Sequence, residues 1–363
     1  MRLALTGGGT GGHIFPALAV MQALRATEGE SLEVRFFGPD NRGERRLVEA
    51  AALPFERVPS AGMRGRGPLA LLQSAWRLLS GTAIAIRKLR RFRPDAVFST
   101  GGYGSFPASV AARLLRCPLV VYLPDVSPGW AVRAEKLLAT KMTTTTEAAL
   151  EHLPRKKTVV TGYPVREAFF SLDRASVRES LGIAPDQLAV VVAGASQGAR
   201  AINGAVAAAL PELLAKATVY HITGEAGFEA ASAKKSELPT ALGSRYHPAA
   251  FRDDLPALMV ACDVGVFRAG ASVLGEVPAA RLPAVLVPGT FAGGHQRDNA
   301  RWLAENGAAT VLEESALAGL GAAVTGLLAD PARLESMRAS AAALARPDAA
   351  SAIAAVVKEV AKQ

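Results

Sequence analysis

Short apolar runs alternate along this chain with stretches whose apolar positions recur every three or four residues. "RLALTG", "LEVRFFG", "DAVFST" and "PLVVYLPD" read as strands, each closed by a Gly- or Pro-marked turn and followed by a helical pattern. A second series runs through "LAVVVAG", "ATVYHITG", "DVGVFRAG" and "PAVLVPG". Continuous Val/Leu runs with helices between them predict parallel strands covered on both faces, an α/β architecture. The pattern restarts around "TVVTGYPVREAFF", where a Gly and a Pro mark a boundary, so two domains are expected, 1–162 and 163–340. Each opens with a strand that enters a Gly-rich turn and then a helix.

Composition narrows the class. Half of the 363 residues are hydrophobic and a fifth are charged, which provides a sizeable core and argues against disorder. Cys117 and Cys262 stand alone, without metal or disulfide spacing, as suits a reducing compartment. Glycines interrupt the apolar start of the chain, so no signal peptide is predicted. No uninterrupted apolar run of about 18 residues predicts a bilayer span. Charge is unevenly placed. Arg64, Arg66, Arg77, Arg87, Lys88, Arg90, Arg91 and Arg93 fall within 60–93 with no acidic residue, accounting for eight of the formal net charge of +9. Such a patch points to an anionic partner surface.

Three glycine-marked turns carry candidate chemistry. Gly7-Gly8-Gly9-Thr10-Gly11-Gly12 satisfies G-x-G-x-x-G after the first strand, and His13 follows it. A dinucleotide fingerprint also needs an acid about 20 residues on, at the end of the second strand. That strand ends "VRFFGPD", so a nicotinamide-dependent oxidoreductase is disfavoured. Gly194-Ala195-Ser196-Gln197-Gly198-Ala199-Arg200 offers a hydroxyl and a helix N-terminus suited to a diphosphate. In "FRAGASVLGE", Gly270 and Ala271 present backbone donors, and Glu276 offers two oxygens to vicinal ribose hydroxyls. Downstream, His295, Gln296 and Asn299 follow a Gly pair, either as sugar-binding groups or as helix caps. Two matching turns favour a site between the domains.

"GGGTGGHIFPALAV", "GGYGSFPA", "GYPVR", "GASQGAR", "FRDDL", "RAGAS…GE" and "HQRDNA" together resemble the MurG family, peptidoglycan N-acetylglucosaminyltransferases that make lipid II from lipid I. The resemblance covers nearly the whole chain. It implies the GT-B fold, two Rossmann-like domains with parallel sheets facing across a cleft. The first would be the acceptor and membrane side and the second the UDP-sugar side, with a helix in 341–363 packing back on the first. It implies inverting transfer from UDP-GlcNAc to the C4 hydroxyl of MurNAc in lipid I, His13 as general base, and no metal or cofactor. The donor residues implied are Thr10, Gly11, Gly12, Asp125, Arg166, Ser196, Arg252, Ala271, Ser272, Glu276 and Gln296. Tyr103 and Ser105 fall on the acceptor side. A histidine can take a proton near neutral pH, which is what the attacking hydroxyl requires.

The chain departs from that family at Tyr122-Leu123-Pro124-Asp125, where His-Glu-Gln-Asn is usual. Asp125 can accept from sugar hydroxyls but cannot donate to an acetamide as asparagine does. Ala269, Ser272 and Pro278 are further departures. The alternatives are a related enzyme using another UDP-sugar or lipid acceptor, and a sugar-nucleotide-binding homologue impaired in catalysis. The basic stretch also carries Leu69, Leu71, Leu72, Trp76, Leu78, Leu79, Ile84 and Ile86, a pattern for an amphipathic helix. It is read as a surface for an anionic membrane at the cytoplasmic face, against the alternative that its apolar face packs on the sheet. No base-reading motif accompanies it, so nucleic acid is not expected.

Overall fold

The computed structural model describes residues 1–8, 11–41, 43–62, 68–194, 199–289 and 294–362, with the side chains of 68–72 left aside. The chain divides into two compact units, Met1–Val165 with Asp348–Gln363, and Arg166–Pro347. The first unit runs β1 (Arg2–Thr6), α1 (Gly11–Glu28), β2 (Glu33–Gly38), α2 (Glu44–Ala50), β3 (Phe55–Arg57), α3 (Pro68–Phe92) and β4 (Ala96–Ser99). It continues through α4 (Phe106–Leu114), β5 (Leu119–Leu123), α5 (Trp130–Leu138), β6 (Lys141–Thr144) and β7 (Thr158–Val160). The second unit begins with α6 (Ala168–Ser171), α7 (Arg174–Ser180), β8 (Ala189–Ala193), α8 (Arg200–Lys216), β9 (Thr218–Ile222) and α9 (Glu225–Glu237). Next come α10 (Thr240–Gly243), β10 (Tyr246–Ala249), α11 (Leu255–Ala261), β11 (Val264–Arg268), α12 (Val273–Ala280) and β12 (Ala284–Val287). The unit closes with α13 (His295–Glu305), β13 (Ala309–Val311), α14 (Leu320–Leu328) and α15 (Pro331–Leu344), and α16 (Ala349–Ala361) belongs to the first unit.

The first sheet has seven strands in the order β3-β2-β1-β4-β5-β6-β7 and the second has six, β10-β9-β8-β11-β12-β13. Every pairing is parallel, with Leu5 level with Phe36 on one side and Phe98 on the other. LVVYL is buried along its length and AVVVA up to its last residue because helices cover both faces, which explains their unbroken apolar runs. In each sheet the order reverses beside the first strand of the unit, between β1 and β4 and between β8 and β11. Doubly wound sheets bind ligands at the carboxyl ends of the strands flanking such a reversal. The Gly-rich turns after β1 and β8 therefore sit at the positions the topology favours.

The terminal helix α16 buries Ile353, Val357 and Val360, and its Lys358 pairs with Glu28 of α1 at 2.6 Å. In the second unit, Asp263 accepts from Arg174 at 2.7 Å, from Arg178 at 3.5 Å and from the Ala189 amide at 2.9 Å, tying α7 to the start of β8. The stretch Pro331–Ala361 reaches a mean hydropathy of 1.2 over 18 residues. It is not one spanning rod, since α15 ends before Pro347 and α16 starts after it.

Candidate functional site

His13 lies in the first turn of α1, immediately after the glycine turn. Its Nδ1 is 2.8 Å from the Thr100 carbonyl oxygen at the end of β4. A carbonyl only accepts, so the bond requires a proton on Nδ1 and leaves the Nε2 lone pair as the basic site. Thr100 grips the same residue a second time, its hydroxyl donating to the His13 carbonyl at 2.6 Å. The two loops interlock so closely that glycine is compulsory at the contacts. A Cβ on Gly7 would stand 2.2 Å from Thr100 Oγ1, and one on Gly102, whose φ is +83°, would stand 2.2 Å from the Gly8 carbonyl oxygen.

Pro16 explains a further contact. A proline has no N–H, so Pro16 cannot donate to the carbonyl four residues back, that of Gly12. The Tyr163 hydroxyl donates to that oxygen instead, at 3.3 Å. Tyr163 is buried and its ring lies 6.4 Å from that of Tyr122. The Tyr122 hydroxyl is 2.7 Å from Thr145 Oγ1 and 3.2 Å from the Gly162 carbonyl oxygen. The departure at Tyr122 thus supplies a buried aromatic support behind the residue that precedes His13. Asp125, at the end of the same segment, is partly exposed.

Of the acceptor-side candidates, Tyr103 is half-buried, while Ser105 is fully buried. The Ser105 hydroxyl is 2.8 Å from the Gly102 carbonyl oxygen and 2.7 Å from Glu135 Oε1, so it faces inward. Gly11 and Gly12 open α1. Thr10 and Ser196 lie outside the described residues.

In the second unit, Ala271 and Ser272 are partly exposed at the start of α12, with Glu276 one turn on. Burial raises the Glu276 pKa, and the Ser272 hydroxyl and the Arg166 charge act against that rise. Pro278 sits inside α12, which ends two residues later at Ala280, with Arg281 beyond it in the left-handed region. Arg166 donates to the Asp253 carbonyl at 3.2 Å. Arg252 forks onto Asp254 at 2.7 and 2.5 Å, which lowers the Asp254 pKa. Arg166, Arg252 and Glu276 are thereby gathered around the β10–α11 loop and α12. Gln296 accepts from the Gly289 amide at 2.8 Å through Oε1, which turns its NH₂ toward other partners. Asn299 is buried and donates to the Ala269 carbonyl at 3.1 Å.

On β9, His221 is held by Tyr246 at Nδ1 (2.8 Å) and by Asn203 at Nε2 (3.1 Å), and burial lowers its pKa to about 4. Burial pushes the Cys117 thiol up to about 11 and that of Cys262 higher still, so neither is an activated nucleophile. Among the described residues no group of His, Cys, Asp and Glu has the arrangement to hold a metal ion.

Nothing in the sequence pattern singles out Thr100 or Tyr163, and Glu135 only weakly. Glu135 left a signal, a carboxylate four residues after Ala131 on the apolar face of α5. Thr100 and Tyr163 left none, because their partners are 87 and 151 residues away.

Comparison with known proteins places the chain among sugar transferases. Residues 3–144 match the glycosyltransferase family 28 N-terminal domain and residues 189–353 the family's C-terminal domain. The UDP-N-acetylglucosamine–N-acetylmuramyl-(pentapeptide) pyrophosphoryl-undecaprenol N-acetylglucosamine transferase of Symbiobacterium thermophilum is 37% identical, over 100% of this chain and 97% of its own. The enzyme of the same name from Nitratidesulfovibrio vulgaris strain Hildenborough is 39% identical, over 97% of this chain and 95% of its own. Among solved structures, MurG of Acinetobacter baumannii superposes with a TM-score of 0.76 at 26% identity, covering 99% of each chain.

Proposed function

The chain belongs to glycosyltransferase family 28, and from that premise we propose how its residues divide the work of sugar transfer. The reaction is transfer of N-acetylglucosamine from UDP-GlcNAc to the MurNAc of lipid I, giving lipid II for peptidoglycan. The observation that carries the chemical assignment is the 2.8 Å contact of His13 Nδ1 with the Thr100 carbonyl. It fixes the tautomer whose Nε2 can accept a proton.

In the step, Nε2 takes the proton of the MurNAc C4 hydroxyl as its oxygen bonds to the anomeric carbon of GlcNAc. Attack comes from the face opposite the diphosphate. The bond from the anomeric carbon to the phosphate oxygen breaks, and UDP leaves with the electron pair, so the configuration inverts. Backbone N–H groups at the starts of α8 and α12 face the charge that develops on the diphosphate. Ser196, Ala271 and Ser272 belong to those turns. Glu276 accepts from the ribose hydroxyls, and Arg166 and the Arg252 backbone border the uracil. The Gln296 amide, Asp125, Thr10, Gly11 and Gly12 serve the donor sugar. Tyr103 meets the acceptor, and Ser105 shapes the acceptor loop from within.

Lipid I is anchored in a bilayer, so its transferase must work at that surface. We assign docking at the cytoplasmic face to the first unit. On α3, Trp76 is 71% and Leu79 68% exposed, and the same helix carries the exposed Arg77, Arg87, Arg90 and Arg91. On the same unit Leu114 and Leu137 are 64% and 78% exposed, near the exposed Arg113 and Arg116. Exposed apolar side chains ringed by arginines suit an interface of acyl chains and anionic head groups.

The test of the chemical assignment is His13→Ala. Turnover should fall by about 10²–10⁴-fold, the contribution of a positioned general base, while calorimetric UDP-GlcNAc affinity stays near wild type. Near-normal turnover with chemistry rate-limiting would remove His13 from the role.

A further inference from the structure

We propose that Glu135, a residue with no direct contact to substrate, is a positioning residue that sets the shape of the 100–105 loop and, through Thr100, the orientation of His13. The proposal rests on His13 acting as base. Glu135 is fully buried on α5, and three serine hydroxyls converge on its carboxylate. Ser99 donates to Oε2 at 3.1 Å, and Ser105 and Ser109 reach Oε1 at 2.7 and 2.8 Å. Ser99 and Ser105 flank the loop that contains Thr100, Gly101, Gly102 and Tyr103. Ser99 Oγ also accepts from the Gly101 amide at 3.2 Å, so one side chain links the carboxylate to the loop backbone. Glu135 therefore holds both ends of the segment whose carbonyl at Thr100 aligns the His13 ring.

An unpaired buried carboxylate is costly, and an apolar side chain would fill this position on α5 more cheaply. The neighbours Ala131 and Val132 show what the rest of that buried face is made of. Charge-assisted bonds from three hydroxyls offset the cost only while the carboxylate accepts all of them. Protonation at Oε2 would turn it into a donor toward Ser99, forcing the Ser99 proton elsewhere and disturbing the link to Gly101. Burial raises the pKa of Glu135 to about 7, with the three serines acting against the rise. The charged and titratable groups on the packed elements, Arg113 on α4, Arg133 and Lys136 on α5, Tyr122 on β5 and His13 on α1, are not among the causes of the rise. Desolvation and the serine hydroxyls are the causes that set the shift, and the competent form is the ionised one.

Two variants test this, Glu135→Gln and Ser109→Ala, each assayed for UDP affinity and for kcat against pH with UDP-GlcNAc and lipid I. Glu135→Gln keeps the size and an acceptor toward Ser105 and Ser109 but cannot take the Ser99 proton as before. It should bind UDP as wild type does, lose about 10–100-fold in kcat, as misplaced catalytic groups do, and lose the contribution of the Glu135 carboxyl to the pH profile while that of the His13 base remains. The Ser109 hydroxyl touches the carboxylate and not the loop, so its loss removes a bond that favours the charged form while the backbone bond of Ser109 to the Ser105 carbonyl stays. In Ser109→Ala the acidic limb of kcat should therefore move to higher pH, with UDP affinity unchanged. Difference infrared spectra should show a protonated carboxyl band that titrates near neutrality in wild type, shifts upward in Ser109→Ala and is missing in Glu135→Gln. Wild-type kcat and pH profile in Glu135→Gln, or an unmoved limb in Ser109→Ala, overturns the proposal. Should Glu135→Gln fail to fold, Ser109→Ala decides alone. Retained turnover in His13→Ala sinks the base assignment instead, and is read separately from both variants.

Discussion

At the scale of single residues the donor side offers the sharpest test, at Glu276. Its carboxyl lies one helical turn past the two residues that open α12 and shares its surroundings with Arg166, which donates to the 253 carbonyl. A contact to ribose is made equally by UDP and UDP-GlcNAc, since neither the sugar nor the transfer alters it. Glu276→Ala should therefore weaken both ligands alike, by about 1.5–3 kcal/mol for hydrogen bonds to a charged acceptor. Isothermal titration with the two ligands measures this, and an unchanged UDP affinity removes Glu276 from the site. Because burial raises its pKa, binding should also weaken toward acid earlier than an ordinary glutamate would allow. His13 and Glu276 stand out in the sequence as candidates because each follows a glycine-marked turn after a strand. The partners that orient His13 do not. The Pro16–Gly12–Tyr163 arrangement is a case in point: Pro16 announces an orphaned carbonyl, yet nothing local says that a tyrosine 151 residues away will satisfy it.

At the scale of elements, α3 divides the two readings its sequence permitted. Leu78 and Leu89 are buried and Ile86 packs on the first unit's core, so much of the apolar face covers the sheet. Among the described side chains Trp76 and Leu79 lie outside, and Lys88 is held by Glu56 at 2.6 Å. Arg64 and Arg66 lie outside the described residues. The charges available to a membrane on this helix are therefore Arg77, Arg87, Arg90 and Arg91. Each basic residue near an anionic leaflet contributes about 1 kcal/mol, and salt screens it. Changing those four to glutamine should release the protein from anionic vesicles in co-sedimentation at low salt, with UDP affinity intact and neutral vesicles as control. Equal sedimentation of variant and wild type would rule α3 out. Strands were unevenly legible for a related reason. The long runs at β1, β2, β4, β5, β8, β9, β11 and β12 were read directly, because central strands bury both faces. The short strands β3, β6, β7, β10 and β13 were missed. Three of them, β3, β7 and β13, have only three residues, β10 contains a proline, and "KMTT" in β6 carries its signal in threonine rather than in apolar runs.

At the scale of the whole molecule, two buried titratable groups give the units opposite responses to acid. In the second unit, His221 falls from its ordinary 6.5 to about 4, so the folded state holds it neutral. An unfolded chain takes up that proton first as pH drops, so this stabilisation is present above 6.5 and lost as pH falls through about 4. In the first unit, Glu135 rises from 4.5 to about 7, and the folded state holds its proton longer than the unfolded one. That contribution is fully present below 4.5 and lost as pH rises through about 7. Each shift corresponds to about 3 kcal/mol in the limit. The first unit is then most stable in the protonated form that disturbs its loop, a conflict of the kind expected where a site stores strain for function. Calorimetric scans at pH 7.5 and pH 5.5 should show the difference. Relative to wild type, Glu135→Gln should gain less stability on acidification, and a His221→Gln variant should lose less. If both variants track wild type across that range, the two groups do not set the acid response of the fold.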